Sequence, residues 1–296
     1  MAKRQDTPTR GFRIPASASA STPASHKQPG KGFGALVYQT LALVGLPALL
    51  LFGWWLISKD STNYLNVPLT TIAEKFWPTW FAGETFGETR FVRDVIPSLF
   101  RVLAGFGLAL VIGIGLGVII GMSARLRAFI EPVLEFFRAI PPPVLVPIFM
   151  LFMGIGNEMK IVVIAIGCLW PILLNTVEGV RGLDSVLGDT TRSYRFSSWG
   201  RLWNYVLPGA SPQIVTGARQ SLSIGIILMV ISEMFAAADG LGFSVVQFQR
   251  SFAIAEMWGG VFLLGLMGLL LAYIFRLITD SILKWYYGYL QAQREG

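Results

Sequence analysis

The chain has 296 residues, of which 53% are hydrophobic before its 32 glycines are counted; only 14% are charged, and the mean hydropathy is +0.59. Ordinary soluble domains reach about 45–50% apolar with glycine included, so a soluble globular protein, a disordered chain, a coiled coil and a secreted disulfide scaffold are excluded, and a polytopic membrane protein is indicated. The formal charge of +7 does not mark a nucleic-acid binder, because Lys and Arg flank apolar runs instead of forming one basic face.

Residues 1–34 are rich in Pro, Ser and Ala and read as a disordered cytoplasmic tail. His26, the only histidine, sits there, which leaves no histidine for a proton relay or metal site within the membrane. Six apolar segments follow, at about 35–57, 95–121, 132–153, 159–178, 206–236 and 257–283, each near the roughly 20 residues that span a hydrocarbon core. With the N-terminus inside, the outer connections hold Lys59, Lys75, Arg90, Arg93, Lys160 and Arg250, while the inner ones hold fourteen Lys and Arg. The positive-inside bias therefore places both termini in the cytoplasm, the last as a tail over 286–296. The connection 58–94, with its amphipathic stretch TTIAEKFWPTWF, is expected to lie outside at the membrane surface. Gly113, Gly117 and Gly121, and again Gly217, Ser221 and Gly225, recur every four residues and predict helix-packing faces. The lone cysteine, Cys168, reads as a small buried apolar residue.

The connection over 178–212, EGVRGLDSVLGDTTRSYRFSSWGRLWNYVLPGASP, is too polar for lipid and too helical in its spacing for a slack loop. Two short helices are expected, Asp184 to Tyr194 and Ser198 to Val206, with a turn at 195–197, an N-cap at Ser197 or Ser198 and an interruption at Pro208. Such an elbow, bearing Tyr194, Phe196 and Trp199, is suited to a groove on a partner. No GxxxxGK[ST] motif occurs, so the chain cannot cradle nucleotide phosphates itself.

At these residues the sequence resembles a known family. DTTRSYRFSSWGRLWNYVLP is similar to the EAA loop of permease subunits of bacterial ATP-binding-cassette importers. Asp189 takes the Glu position, Thr190 and Thr191 the two Ala positions, Arg195 the turn Gly position, and Leu207 and Pro208 the closing Leu-Pro. Arg at a turn that needs φ > 0 is a departure that would strain it. PSLFRVLAGF (97–106), EFFRAIPPPVLVPIFMLFMGIG (135–156), WPILLNTVEGVRGLD (170–184) and ISEMFAAADGLGF (231–243) resemble, in order and spacing, permeases of the nitrate/sulfonate/taurine group. The resemblance implies an all-α membrane protein of type I importer fold with six transmembrane helices: a peripheral helix at 35–57, a five-helix core at 95–285, and a coupling helix in the 178–212 loop. It further implies a second permease copy, two cytoplasmic ATPase subunits that bind ATP and Mg, an extracytoplasmic solute-binding protein, and a bacterial inner-membrane location, with no cofactor in this chain. Asp189, Thr190, Thr191, Arg192, Tyr194, Arg195, Phe196, Trp199, Leu207 and Pro208 would couple to the ATPase.

Charges within spans are costly and call for a role. Arg101, Glu131 and Arg276 lie near span ends, where snorkelling to water is expected. Arg138 adjoins Pro141, Pro142 and Pro143, where a broken helix would expose backbone to a cavity; the passageway is expected there, with Phe136, Phe137 and Met150, faced by Ser223 and Glu233. Arg138 would offer a fork to a small anion or else pair with Glu135 or Glu131. The alternatives in other classes are an ion-driven secondary transporter, for which Glu233 is the sole midspan acid and no repeat is evident, and an intramembrane hydrolase or transferase, for which no catalytic set can be assembled.

Overall fold

The computed structural model describes residues 33–61, 63, 65–235 and 237–295; residues 1–32, holding most of the expected tail and His26, lie outside them. Among the described residues all regular structure is helical. In chain order the helices are α1 (Phe33–Ser58), α2 (Leu69–Trp80), α3 (Ile96–Met122), α4 (Ala124–Arg138), α5 (Pro142–Met153), α6 (Asn157–Arg181), α7 (Ser185–Ser193), α8 (Ser198–Arg201), α9 (Leu207–Phe235), α10 (Leu241–Arg250), α11 (Ile254–Ile282) and α12 (Lys284–Glu295). The chain forms two units, residues 1–56 and 57–296. The first supplies α1, an apolar helix that carries Pro47 and stacks Phe52 on Trp55 with ring centroids 5.8 Å apart.

Four segments of the second unit, each built around one of α3, α6, α9 and α11, are long and apolar enough to cross a membrane. The expected span at 132–153 is not one straight helix: α4 and α5 meet at 85° across a break at 139–141. The cause is local, since Pro141, Pro142 and Pro143 bring no N–H groups to a ladder and each disfavours helical geometry in the residue before it. Counted as one broken span this pair is a fifth crossing, and α1 occupies the remaining predicted position. The segment 286–296, read as a tail, is helical through α12, and α10 was not foreseen.

The two small-residue stripes meet one helix. A Cβ added at Gly113, Gly117 or Gly121 would come within 2.8 Å of Ile172, Thr176 or Val180, and one at Gly105 within 2.6 Å of Ile164. Each pair differs by 59 in number, so α3 and α6 run parallel. On the other side of α6, a Cβ at Gly217 would lie 2.5 Å from the Pro171 carbonyl oxygen and one at Gly225 3.0 Å from Cys168 Sγ, while Ser221 Oγ donates to the Cys168 carbonyl at 2.7 Å. Here numbers rise on one helix as they fall on the other, so α9 is antiparallel to α6. Close backbone approach maximises dispersion contacts, the force left for helix association where lipid is as apolar as protein. Cys168 is buried in this seam, as its reading required. This register sets the ends of the bundle: the α6–α9 connection lies at one, and the starts of α3 and α6 lie with the end of α9 at the other.

At that second end α2 packs on α11. Trp80 is buried, edge-on to Phe248 with centroids 6.1 Å apart, and Lys75 pairs with Glu256 at 2.8 Å. The stretch expected at the membrane surface thus splits, with Trp80 in the core and Trp77 exposed.

Candidate functional site

The polar connection forms a capped helical hairpin. Asp184 accepts from the Val186 N–H at 2.8 Å and starts α7. The helix ends when the Phe196 N–H donates to the Thr191 carbonyl at 3.0 Å and the Arg195 N–H donates to Arg192 at 2.9 Å, the bond pair that closes a helix on a left-handed residue. That residue is Arg195, at φ 55°. Ser197 then caps α8 by accepting from Gly200 N–H at 3.1 Å. The chain passes through a π-turn at Leu202–Val206 into α9. The Leu207 N–H reaches back to the Leu202 carbonyl, the i→i−5 spacing that accommodates the missing N–H of Pro208. Tyr205 Oη donates to the Asp184 carbonyl at 2.7 Å and ties the two arms together. The base is apolar: Val206 and Ala210 pack with Val118 and Val180, with Leu207 against them.

The tip presents what the base hides. Tyr194 is 76% exposed, Trp199 68% and Phe196 48%. Trp203, which the sequence reading passed over, lies edge-on to Trp199 at 5.7 Å and is also exposed; its position one turn after Trp199 was the signal. Thr190 and Thr191 return their hydroxyls to the carbonyls of Val186 and Gly188 at 2.8 Å, and Asp189 pairs with Arg192 at 3.1 Å on the outer surface. Left-handed geometry costs a residue with a Cβ about 1 kcal/mol that glycine does not bear. Arg195→Gly is therefore expected to stabilise the hairpin by about 1 kcal/mol, seen as raised protection from hydrogen exchange in α7 and α8, whereas Arg195→Val lowers it.

The residues expected along a passageway are dispersed. Arg138, Pro142 and Pro143 line a cleft of about 550 Å³ with Trp170, Asn175 and Gln220. Phe136, Phe137 and Pro141 are exposed outside its lining, Ser223 is exposed on α9, and Met150 packs into a small core with Val146, Met159 and Val163. Of the two partners considered for Arg138, Glu135 is the one it meets, at 2.6 Å.

Glu233 and Arg101 both depart from expectation. Glu233 does not face a passage with Ser223; it is fully buried. Arg101 does not snorkel; it is 1% exposed and donates to Glu233 at 2.5 Å, to Asn157 Oδ1 at 2.7 Å and to the Asp239 carboxylate. The reason is that the start of α6 and the α9–α10 turn roof this end of α3. Ser98 Oγ lies 2.8 Å from Glu233 and accepts from the Leu241 N–H at 2.9 Å, and the Gly242 N–H donates to Glu233 at 2.9 Å. Gly240 turns the chain at φ 115°, and a Cβ there would sit 2.4 Å from the Glu233 carboxyl. Nearby Asp94, also buried, accepts from Ser244 Oγ at 2.5 Å. Lys160, counted as an outer loop charge, is buried on α6.

A helical membrane protein whose apolar core supports an exposed aromatic hairpin, with clefts in the bundle, has the architecture expected of a transport permease driven by a partner. The chain belongs to the family of binding-protein-dependent transport system inner membrane components, whose model matches residues 109–286. It is 28% identical to the taurine transport system permease protein TauC of Escherichia coli, across 84% of this chain and 90% of that one. It is 32% identical to the nitrate import permease protein NrtB of Synechocystis, across 76% and 82%. Its fold is similar to a chain of the MetNI methionine ABC transporter in an inward facing conformation, with a TM-score of 0.56 at 22% identity, covering 65% of this chain and 96% of that one. The protein is thus a membrane permease subunit of an ATP-binding-cassette importer, not an enzyme, and the family pairs such subunits with an ATPase and a binding protein. This sets aside the ion-driven carrier and the intramembrane hydrolase.

Proposed function

We propose that this permease carries a small oxyanion, of the nitrate or sulfonate kind, inward across the membrane, and that the 184–206 hairpin is the handle by which two ATPase subunits drive it. ATP and Mg reside in those subunits, and an extracytoplasmic binding protein delivers the solute. Two copies of this chain form the pathway from their 95–285 cores, with the 35–57 helix peripheral. Both termini share the hairpin's cytoplasmic side. The solute class rests on the names of the taurine and nitrate relatives.

The observation that carries the reading is the exposure of Tyr194, Phe196, Trp199 and Trp203 on a hairpin capped at both helices and anchored through Val206 and Ala210. Exposed aromatics on a rigid support are what a protein groove buries as anchors. Asp189, Thr190, Thr191, Arg192 and Arg195 set the shape of the tip, and Leu207 and Pro208 pass its movement into α9. Bending between α7 and α8 is opposed by the Tyr205 tie, so force on the tip reaches the bundle.

Tyr194→Ala with Phe196→Ala is expected to leave folding intact, because neither side chain is in a core cluster. It should cut ATPase co-purification and solute-stimulated ATP hydrolysis at least tenfold, equivalent to about 1.4 kcal/mol. Undiminished association and hydrolysis would remove the handle assignment.

A further inference from the structure

The bundle holds two adjoining clefts, one whose lining has a cation and no carboxylate and one whose lining holds several carboxylates, and Arg138 lines both. The larger, about 550 Å³, has Arg138, Trp170, Asn175 and Gln220 in its wall and no carboxylate. The smaller, about 230 Å³, has Arg127, Glu131, Glu135, Arg138 and Glu178 in its wall, with Glu178 paired to Arg181 at 2.5 Å and Glu135 to Arg138. Trp170 and Gln220 each lie 13 residues past the start of α6 and α9, which run in opposite directions. At 1.5 Å per residue this is about 20 Å from either end, near mid-membrane. The smaller cleft lies nearer the hairpin, since Ile120 and Glu178 belong to the last turns of α3 and α6.

Polar side chains at such depth are costly unless they are paired or meet a polar ligand. The larger cleft is lined by the Arg138 guanidinium, the Gln220 carboxamide, Trp170 and Asn175, whose Nδ2 spends one hydrogen on the Pro171 carbonyl at 2.8 Å and keeps the other, so the lining carries donors and one positive charge. That is the complement of a planar or tetrahedral oxyanion, for which the guanidinium supplies a two-pronged fork. Arg138 is held meanwhile by Glu135, 2.6 Å away and three residues back on the same helix, both side chains half exposed. Pairs of this kind are weak and readily exchanged.

We propose that the larger cleft is an intramembrane oxyanion site in which Arg138 is the selectivity residue, parked on Glu135 when the site is empty and transferred to the solute's nitrate, sulfonate or carboxylate group when it is filled. Trp170, Asn175 and Gln220 orient that group. Glu135, released when Arg138 moves to the solute, stands with Glu131 on the hairpin side and repels the anion once it passes Arg138, which favours release there. This inference rests on the importer reading above and adds the site that sorts solute by charge.

The test is equilibrium dialysis of radiolabelled methanesulfonate, with methylammonium as the cationic control, against the permease–ATPase complex in lipid nanodiscs at fixed salt. Arg138→Gln is expected to weaken methanesulfonate binding at least tenfold. Glu135→Gln, which frees the fork, should tighten it severalfold. Arg138→Lys, which keeps the charge without the fork, should fall between, and serves also if the glutamine variant does not assemble. Methylammonium should not bind. Wild-type affinity in Arg138→Gln, unchanged or weaker binding in Glu135→Gln, or binding of methylammonium would each overturn the site. ATP hydrolysis and subunit association are read on the same samples: their loss in the hairpin variants concerns the handle alone, and their retention alongside any overturning result confines the failure to this cleft.

Discussion

Arg101→Ala is expected to destabilise the bundle by about 3–5 kcal/mol, the cost of leaving a buried carboxylate without its partner. Glu233 is fully buried and receives its charged hydrogen bond from Arg101 alone among the described residues, at 2.5 Å; Ser98 Oγ and the Gly242 N–H are neutral donors. Asp239 is partly exposed and water can take over its solvation, so most of the cost falls on Glu233. The damage spreads beyond one pair because the same carboxylate holds the α9–α10 turn, through Gly242, and the start of α3, through Ser98. Detergent-solubilised protein should melt well below wild type, with α10 losing hydrogen-exchange protection first. Glu233→Gln added to Arg101→Met should recover much of the loss, since a neutral amide in the same place can still accept from Ser98 and Gly242. A melting temperature for Arg101→Ala within a degree of wild type, or no recovery in the double variant, would show that the pair carries little of this load.

The parts of the fold legible in the sequence are those encoded within one helix or one loop. A four-residue rhythm of Gly113, Gly117 and Gly121 marks a face whatever it packs against, and a Ser or Asp ahead of a helical pattern marks a cap, so both small-residue stripes and the hairpin at 184–206 could be read directly. Arg195 could be recognised as the residue out of place in its turn, and its φ of 55° is the strain that position imposes. What could not be read is pairing at a distance. Arg101 meets Glu233, 132 residues on, only because parallel α3 and α6 and antiparallel α9 bring three helix ends together. Nothing local separates a helix-end arginine that reaches water from one roofed by a later turn. The cleft was half legible for the same reason: Arg138 and the prolines are close neighbours in the chain, whereas Trp170, Asn175 and Gln220 join them only through the packing of α6 and α9.

Two glycines two residues apart on α3 are expected to answer the same substitution in opposite ways. At Gly117 an added Cβ would lie 2.5 Å from Thr176 Cβ and 3.0 Å from the Leu173 carbonyl oxygen. Neither neighbour can yield: Thr176 is β-branched and its hydroxyl is bound to the Ile172 carbonyl at 2.7 Å, and the other contact is backbone. Gly117→Ala must then push α3 away from α6 along the whole stripe, since Gly113 and Gly121 share the register. Overpacking of this kind costs about 1–3 kcal/mol, and Gly117→Val should exceed that and prevent assembly. At Gly115 nothing lies within 4 Å of the added carbon. Gly115→Ala should therefore stabilise α3 by about 0.5–1 kcal/mol, because alanine loses less backbone freedom than glycine on entering a helix and the added methyl meets no neighbour. Thermal unfolding of the purified variants reads the difference directly. Equal melting points for the two alanine variants would mean that α3 and α6 are not packed at the distance on which the whole bundle, and the leverage of the hairpin below it, depends.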